Sequence, residues 1–187
     1  MNESPRINVL GISGSLRRGS FNTAALQEAS NLAPAGMRIE LADITEIPLY
    51  DEDVYAKGFP PAVEHLREQI RAADALLIAT PEYNYSVPGV LKNAIDWVSR
   101  PPDQPFAGKP VALMGASAGR FGTARAQYHL RQSMVFLDMR PLNRPELMIS
   151  TAQKVFDDRG RLTDETTREY LRGLLMALQD WTLSHRK

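Results

Sequence analysis

The sequence predicts an α/β fold, in which one doubly wound parallel sheet carries helices on both faces. Short apolar runs alternate with longer amphipathic stretches in the order βαβαβαβαβα, and this order requires crossover connections between parallel strands. The run at residues 75–79 is continuously apolar, as expected of a strand that is covered on both sides. The 187 residues contain no repeat, low-complexity tract or long linker, so we expect residues 1–187 to form a single domain.

The first half of the chain is predicted to hold three strands and two helices. Residues 60–73 predict a helix because Val63, Leu66 and Ile70 recur with the spacing of one helical face. A Pro-Ala-Gly sequence at residues 34–36 ends the preceding helix. The other elements are a strand at residues 7–12, a helix at 22–32, and strands at 37–41 and 75–79.

The second half of the chain is predicted to complete the sheet. Residues 142–148 predict the last strand, although Pro145 cannot donate a hydrogen bond to a neighbouring strand. A long helix at residues 163–184 begins with two acidic residues, which suit the positive end of the helix dipole. The Pro-, Gly- and Asp-rich stretches at 47–59 and 100–108 are predicted loops. The other elements are helices at 90–98 and 124–136 and a strand at 111–114.

Composition excludes several classes of protein. The 22 basic and 22 acidic residues give zero formal net charge, so nothing indicates attraction to nucleic acid or to an anionic membrane. There is no cysteine, which excludes a catalytic thiol, a disulfide scaffold and a thiolate metal site. Residues 1–5 are polar, and no apolar run approaches the roughly 20 residues that span a bilayer. We therefore expect a cytoplasmic protein.

A polar loop at residues 13–23 follows the first strand and leads into a helix. Its hydroxyl groups, backbone N–H groups and helix dipole form a natural anion site, to which Arg17 adds a bidentate donor. Asn22 could also cap the helix. The loop has neither a P-loop motif nor the glycine spacing of a dinucleotide fingerprint, so it suits a mononucleotide such as FMN in a flavodoxin-like sheet. A polar turn with a helix cap is the alternative.

A second loop, residues 80–89, follows the apolar strand at residues 75–79. Its two prolines restrict the backbone, and Gly89 permits close approach of another group. Backbone N–H groups held in this way could meet the polar edge of an isoalloxazine ring, with Tyr83 or Tyr85 against the ring. A rigid structural corner with packed tyrosines is the alternative. The loop's position beside the first loop, at the expected switch point of the sheet, favours a site.

Both loops carry extended motifs. These are G-S-L-R-x-x-S-x-N at residues 14–22 and P-E-Y-N-x-S-x-P-G-x-L-K-N-A-I-D-W at residues 81–97. In this order and spacing they resemble the NAD(P)H-dependent FMN reductase family, and within it most closely the bacterial quinone and chromate reductases. The resemblance covers residues 6–181. It implies a flavodoxin-like fold with five strands in the order 2-1-3-4-5 and one non-covalent FMN per subunit.

The resemblance also implies, by position, which residues bind FMN. The phosphate would be held by Ser15, Arg17, Ser20, Asn22 and Thr23. The ring and ribityl chain would be lined by Pro81, Glu82, Tyr83 and Asn84. The ring pocket would be completed by Ser117, Gly119, Arg120 and Gly122, whose two glycines would let the backbone approach the flavin. Arg17 and Arg120 could stabilise negative charge on the flavin or on the nucleotide phosphate.

The reaction that the family implies needs no protein nucleophile. NADPH or NADH would deliver hydride to flavin N5 and leave, and a small acceptor would take two electrons at the same ring face, which predicts ping-pong kinetics. Quinone, chromate, free flavin and azo compounds are all compatible acceptors. His65, His129 and His185 lie in predicted helices without metal-ligand spacing. The alternatives are a flavodoxin-type electron carrier, although the chain has no acidic run, and a flavin-binding regulatory protein.

The family also implies a homodimer or homotetramer, with the active site near the subunit boundary. Arg125 and Tyr128 share a helix face, and Glu146 is expected to meet them across a subunit contact; a solvated helix surface is the alternative. Trp97 is expected at a dimer contact and Trp181 in the core. The sequence does not identify an arginine that would recognise the 2′-phosphate of NADPH, so the preference between NADPH and NADH stays open.

Overall fold

The structure, a computed structural model, describes residues 7–186. The rest of the expected domain, residues 1–6 and 187, lies outside the described residues. The strands are β1 (Ile7–Ser13), β2 (Met37–Ala42), β3 (Ala75–Ala79), β4 (Pro110–Ala116), β5 (Arg140–Pro141) and β6 (Leu147–Ile149). They form one parallel sheet in the order β2-β1-β3-β4-β5, with β6 also paired to β4. The predicted strand order is therefore confirmed.

Helices connect the strands as the alternating pattern predicts. They are α1 (Phe21–Asn31), α2 (Glu52–Tyr55), α3 (Pro61–Ala72), α4 (Gly89–Val98), α5 (Ala124–Phe136) and α6 (Glu165–His185). Among these, α2 was not expected, since it is a single turn inside the predicted loop at residues 47–59. A short 3-10 helix at Ala152–Lys154 was not expected either. Within residues 7–186, no helix has the length and the apolar character that crossing a membrane requires.

The last position of the sheet differs from the prediction of one strand at residues 142–148. Two short strands occupy it instead: β5 pairs with the beginning of β4, and β6 pairs with its end. Pro145 lies in the segment between them. Because proline has no N–H to donate, it interrupts the ladder at this edge of the sheet.

The central strands bury both of their faces, and alternate residues serve two separate cores. In β3, Ala75, Leu77 and Ala79 contact the core beneath α1 and α6, whereas Leu76 and Ile78 contact the core beneath α3, α4 and α5. All five residues are fully buried. The continuous apolar run therefore marks a doubly covered strand, as predicted, and helices lie on both faces of the sheet.

The start of α6 shows how a side chain sets a helix boundary. The predicted helix begins at Thr163, but α6 begins two residues later. The Asp164 carboxylate accepts hydrogen bonds from the backbone N–H of Thr167 at 2.8 Å and from its hydroxyl at 2.6 Å. Asp164 is thus the N-cap and not a residue of the first turn.

The two tryptophans have different surroundings. Trp97 is fully buried, its indole N–H donates to the Pro48 carbonyl at 2.8 Å, and its ring packs edge-on against Tyr50. The expectation that Trp97 lies at a dimer contact is therefore wrong, because the 47–59 segment of the same chain covers it. Trp181 packs against the core, as expected, while part of its ring stays exposed and its N–H donates to the Arg140 carbonyl.

A buried arginine ties α3 to the loop at residues 100–108. The side chain of Arg67 is almost completely buried, stacks on the Phe59 ring, and pairs with Asp103. Its guanidinium also donates to backbone carbonyls, including that of Arg100 at 2.9 Å. Burial lowers the pKa of Arg67 from its ordinary value, yet the carboxylate and carbonyl partners compensate a charge that would otherwise be costly to bury.

Candidate functional site

Three loops meet at the edge of the sheet where β1, β3 and β4 end. They are residues 13–20, 80–88 and 117–123, named below by these ranges. Since parallel strands end side by side, loops far apart in sequence form one site there. The groove between them is lined by Ser15, Arg17, Ser20, Phe21, Asn22, Pro81, Glu82, Tyr83, Ala116, Ser117 and Ala118.

The hydroxyl groups of the 13–20 loop gather at the start of α1. Ser20 is the N-cap, and its Oγ accepts a hydrogen bond from the backbone N–H of Thr23 at 3.3 Å. The Thr23 hydroxyl in turn lies 2.8 Å from the hydroxyl of Ser13. The first N–H groups of a helix have no intrahelical partner. This helix start therefore offers N–H and O–H donors together, as an anion site requires.

Ser15 and Arg17 extend this donor set toward solvent. The Ser15 Oγ accepts from the N–H of Arg17 at 3.4 Å. The Arg17 side chain is exposed, and its guanidinium lies 5.6 Å from the centre of the Phe21 ring. Gly14 keeps the loop close to its neighbour, because a Cβ there would lie 3.1 Å from two prolines of the 80–88 loop.

Asn22 lines the groove but does not cap the helix as expected. Its side chain is buried and makes two hydrogen bonds to the peptide of Ala116. The amide nitrogen donates to the Ala116 carbonyl at 2.9 Å, and the amide oxygen accepts from the Ala116 N–H at 2.8 Å. Ser20 holds the cap position instead. Asn22 thus fixes the start of α1 to the end of β4 across the floor of the site.

The 80–88 loop contains a tight two-residue turn. The N–H of Tyr83 donates to the Ser86 carbonyl at 3.1 Å, and the N–H of Ser86 donates back at 3.0 Å. Between them, Asn84 and Tyr85 have φ values of 49° and 66°. Asparagine tolerates this left-handed region, whereas tyrosine there costs about 1–2 kcal/mol. Asn84 therefore belongs to the turn, and it is not among the residues that line the groove.

Glu82 makes contacts that the resemblance did not imply. Its nearly buried carboxylate accepts from the backbone N–H groups of Arg125 at 3.0 Å and Ala126 at 3.1 Å, at the start of α5. It also forms an ion pair of 2.6 Å with the Arg125 guanidinium. Because the Glu82 carboxylate is bound at the start of α5, it ties the 80–88 loop to that helix.

Arg125 links the 80–88 loop to the 117–123 loop. Its guanidinium lies 3.6 Å from the centre of the Tyr85 ring and 5.2 Å from that of Phe121. Arg125, Tyr128 and Glu146 were expected to meet at a subunit contact. Within one chain they form two separate pairs, because Arg125 binds Glu82 and the Tyr128 hydroxyl donates to Glu146 at 3.0 Å. This hydrogen bond raises the pKa of the Tyr128 hydroxyl.

The 117–123 loop supplies the remaining predicted residues. Ser117 lines the groove, and its Oγ accepts from the N–H of Gly119 at 3.1 Å. Arg120 is exposed and has no hydrogen-bond or ion-pair partner within residues 7–186. Gly122 has φ of 58°, and a Cβ there would lie 3.0 Å from the backbone of Met148. Close packing on β6 is therefore enough to require glycine at this position.

Histidines lie outside the groove. The Nδ1 atom of His129 is 3.0 Å from the Ser86 hydroxyl, that of His185 is 2.8 Å from the Trp181 carbonyl, and His65 is exposed on α3. Among residues 7–186, no group of histidine, aspartate and glutamate side chains could hold a metal ion.

Two features of the site were missed from the sequence. One is the stack of Arg125 on Tyr85, and the other is the ring of Phe121, which is 64% exposed beside it. The opposite charges of Glu82 and Arg125 could have predicted that they pair, because both residues follow strands that end at the same edge of the sheet. The left-handed turn that presents Tyr85 to Arg125 had no comparable signal.

Comparisons with known proteins agree with this geometry. A family model described as NADPH-dependent FMN reductase matches residues 7–154. An NAD(P)H-dependent FMN reductase of Pseudomonas aeruginosa is 73% identical over 178 residues, covering 95% of this chain and 96% of that protein. A quinone reductase of Escherichia coli K12 is 51% identical over 181 residues, with the same two coverages. The solved structure of a flavoenzyme NAD(P)H:(acceptor) oxidoreductase, FerB from Paracoccus denitrificans, has a TM-score of 0.87 at 36% identity and covers 96% of this chain and 98% of its own.

The chain therefore belongs to the NADPH-dependent FMN reductase family. It is an oxidoreductase whose cofactor is FMN and whose electron donor is a nicotinamide nucleotide. The family resemblance of the two sequence motifs is thereby confirmed.

Proposed function

We propose that the protein binds one FMN in the groove and catalyses oxidation of NADPH or NADH with reduction of a quinone. The observation that carries this proposal is the meeting, in one groove, of a hydroxyl-lined helix start and a loop with exposed tyrosines. The first suits a phosphate and the second suits a flat aromatic ring. FMN carries these two groups at its opposite ends.

The phosphate end would be held at the start of α1. Ser15, Ser20 and Thr23 bring hydroxyl groups there, and the first N–H groups of the helix add backbone donors. Arg17 is exposed and has no carboxylate partner within the described chain. A guanidinium in this position can bind a phosphate through two parallel hydrogen bonds. The residues present therefore fit a mononucleotide phosphate.

The ring end would lie between the 80–88 and 117–123 loops. Pro81 and Tyr83 line this part of the groove with the backbone of Glu82, and Ser117 lies across from them. Arg120 is available to stabilise negative charge. The Glu82 carboxylate is bound at the start of α5. The wall of the groove is therefore formed mostly by backbone and aromatic groups, which suit an isoalloxazine ring.

FMN, when bound, supplies the redox chemistry by taking two electrons from the nicotinamide and passing them to the acceptor. The chain's own residues bind and orient the reactants, and no nucleophilic side chain is needed. Tyr83 and Phe121 keep more than half of their surfaces exposed beside the groove, where flat nicotinamide or quinone rings can stack. We expect donor and acceptor to use this place in turn, which predicts ping-pong kinetics.

Relatives support a quinone as the acceptor, since several of them are named quinone reductases. Chromate, free flavin and azo compounds are alternative acceptors. The test is to compare kcat/KM for 1,4-benzoquinone, chromate, free FMN and an azo dye at fixed NADPH. The proposal predicts the highest value for the quinone, with parallel lines in double-reciprocal plots. A higher value for any other acceptor, or intersecting lines, would contradict it.

A flavodoxin-type electron carrier or a flavin-binding regulatory protein would use the same cofactor without turnover of nucleotide. Nicotinamide oxidation separates these alternatives from the enzyme. We also retain two expectations as proposals: a single domain over residues 1–187, and a cytoplasmic location.

We further propose that the protein is a homodimer or homotetramer, with a contact at Arg125, Tyr128 and Glu146. Tyr128 is 52% exposed although it is hydrogen-bonded to Glu146. Sedimentation should give a native mass of two or four times the 20.9 kDa chain. If the contact forms a tetramer, the triple variant Arg125→Ala, Tyr128→Ala, Glu146→Ala should sediment as a dimer. An unchanged mass would refute the role of these side chains.

A further inference from the structure

A second cleft adjoins the groove on the side of α1. It lies between α1 and residues 153–160, and it shares Ser20 and Phe21 with the groove. Its apolar part is aromatic, because the rings of Phe21 and Phe156 pack with centroids 5.2 Å apart. The α1 cleft, as it is called below, therefore adjoins the end of the site that suits a phosphate and not the end that suits the ring.

Two arginines line the α1 cleft. Arg18 comes from the 13–20 loop, and Arg159 comes from the segment at residues 153–160. Within residues 7–186, neither guanidinium has a hydrogen bond or an ion pair. The neighbouring Arg161 is different, because it pairs with Asp157 at 2.7 Å. Two positive groups are thus left available on the two walls of one cleft.

We propose that the α1 cleft binds the adenosine 2′-phosphate of NADPH and thereby makes the enzyme prefer NADPH to NADH. This inference rests on the proposed function. NADPH carries its 2′-phosphate at the end remote from the nicotinamide, so the group that recognises it must lie away from the ring end of the site, as the α1 cleft does. Guanidinium groups match a phosphate monoester in charge and in geometry. Arg18 and Arg159 would hold it from the two walls of the cleft.

The other polar side chains of the α1 cleft suit an adenosine. Gln27 and Gln153 present amide groups that both donate and accept hydrogen bonds. Asp158 is exposed and can accept from a ribose hydroxyl or from the adenine amino group. The charge of Asp157 is already compensated by Arg161 and by backbone N–H groups. A phosphate in the cleft would therefore meet more positive than negative charge.

The first test compares the two nucleotides in steady-state kinetics. Arg18→Ala and Arg159→Ala should each lower the ratio of kcat/KM for NADPH to kcat/KM for NADH by about 10- to 100-fold, the effect of losing one charge-assisted hydrogen bond. Values for NADH should stay within about twofold of wild type, because NADH has no 2′-phosphate. The matched control is Arg144→Ala, an exposed arginine that lines neither the groove nor the α1 cleft.

The second test measures binding without turnover. Titration calorimetry of the FMN-loaded protein should show that 2′,5′-ADP binds more tightly than 5′-AMP and that both cleft variants lose this difference. Equal affinity for the two ligands, an unchanged nucleotide ratio in both variants, or a wild-type preference for NADH would each overturn the inference. In all three cases continued NADH oxidation would leave the proposed function intact, whereas absence of any nucleotide oxidation would refute that function separately.

Discussion

Asn22 and Glu82 lie in the two motifs that predicted ligand contacts, yet both side chains make their hydrogen bonds to the protein backbone. Asn22 joins α1 to β4, and Glu82 joins the 80–88 loop to α5. Each bond pair crosses between two walls of the groove. These residues therefore build the site by fixing its walls, while their neighbours Ser15, Ser20 and Tyr83 remain available to a ligand.

Replacing Glu82 should separate the 80–88 loop from α5. Glu82→Ala removes a helix-capping acceptor and leaves the Arg125 guanidinium without its carboxylate, so we expect a loss of about 2–4 kcal/mol in the free energy of unfolding. Urea unfolding of the FMN-free protein measures it. Glu146→Ala is the matched control, because within residues 7–186 that carboxylate bonds an exposed tyrosine and no other group, and in a single chain its loss should cost less than about 1 kcal/mol. Equal losses in the two variants would contradict this role of Glu82.

Asn22→Asp tests the link between α1 and β4 with almost no change of shape. The variant keeps an acceptor for the Ala116 N–H but places an oxygen against the Ala116 carbonyl, so we expect a loss of about 1–3 kcal/mol in the free energy of unfolding. FMN affinity should fall as well, because the same residue lines the groove. Asn143→Asp is the control, since it would keep its acceptor for Arg131. Unchanged stability and FMN affinity in Asn22→Asp would refute the link.

At the scale of elements, apolar patterning predicted most helices and strands. The two cores bury both faces of the central strands, which read as continuous apolar runs, and one face of each covering helix, which reads as helical spacing. The predicted boundaries were wrong where a single local interaction sets the end of a helix or strand. The cap at Asp164 moved the start of α6, and the sheet edge near Pro145 became two strands. The burial of Trp97 depended on the 47–59 segment folding over α4, which local sequence does not encode.

The stability that Asp103 contributes by joining α3 to the loop at residues 100–108 should depend on pH. Hydrogen bonds from Arg71, together with the charge of Arg67, hold the pKa of Asp103 below its ordinary value. A carboxyl group whose pKa is lowered by folding stabilises the native state above its unfolded pKa, and this contribution is lost as the pH falls through the folded pKa.

Asp103→Asn should therefore destabilise the protein at pH 7 but lose this effect in acid. The gap between wild type and variant in the free energy of unfolding should narrow as the pH falls below about 4, near the ordinary pKa of aspartate. Urea unfolding across this range measures the gap, and Asp138→Asn serves as a control at an exposed position. A gap that does not change with pH would contradict the charge interaction.

For the whole molecule, the two motifs predicted the family, and the resemblance implied its strand order. The motifs also predicted the region of the site, because they lie at the ends of neighbouring strands. The sequence did not predict which of the residues that line the groove have side chains already bound by the protein itself. That depends on contacts between distant loops, such as the ion pair of Glu82 with Arg125 and the stack of Arg125 on Tyr85. Nor did the sequence predict that Arg18 and Arg159, whose guanidinium groups have no partner within residues 7–186, line one cleft.

The central claim is that one groove binds FMN and passes electrons from a nicotinamide nucleotide. The most direct measurement is the visible spectrum of the purified, FMN-loaded protein before and after addition of NADPH without oxygen. The account predicts two flavin bands that bleach on addition of NADPH and return when a quinone is added. Bands that persist with both NADPH and NADH would contradict the enzyme and favour an electron carrier, and absence of flavin bands after incubation with FMN would contradict the site itself.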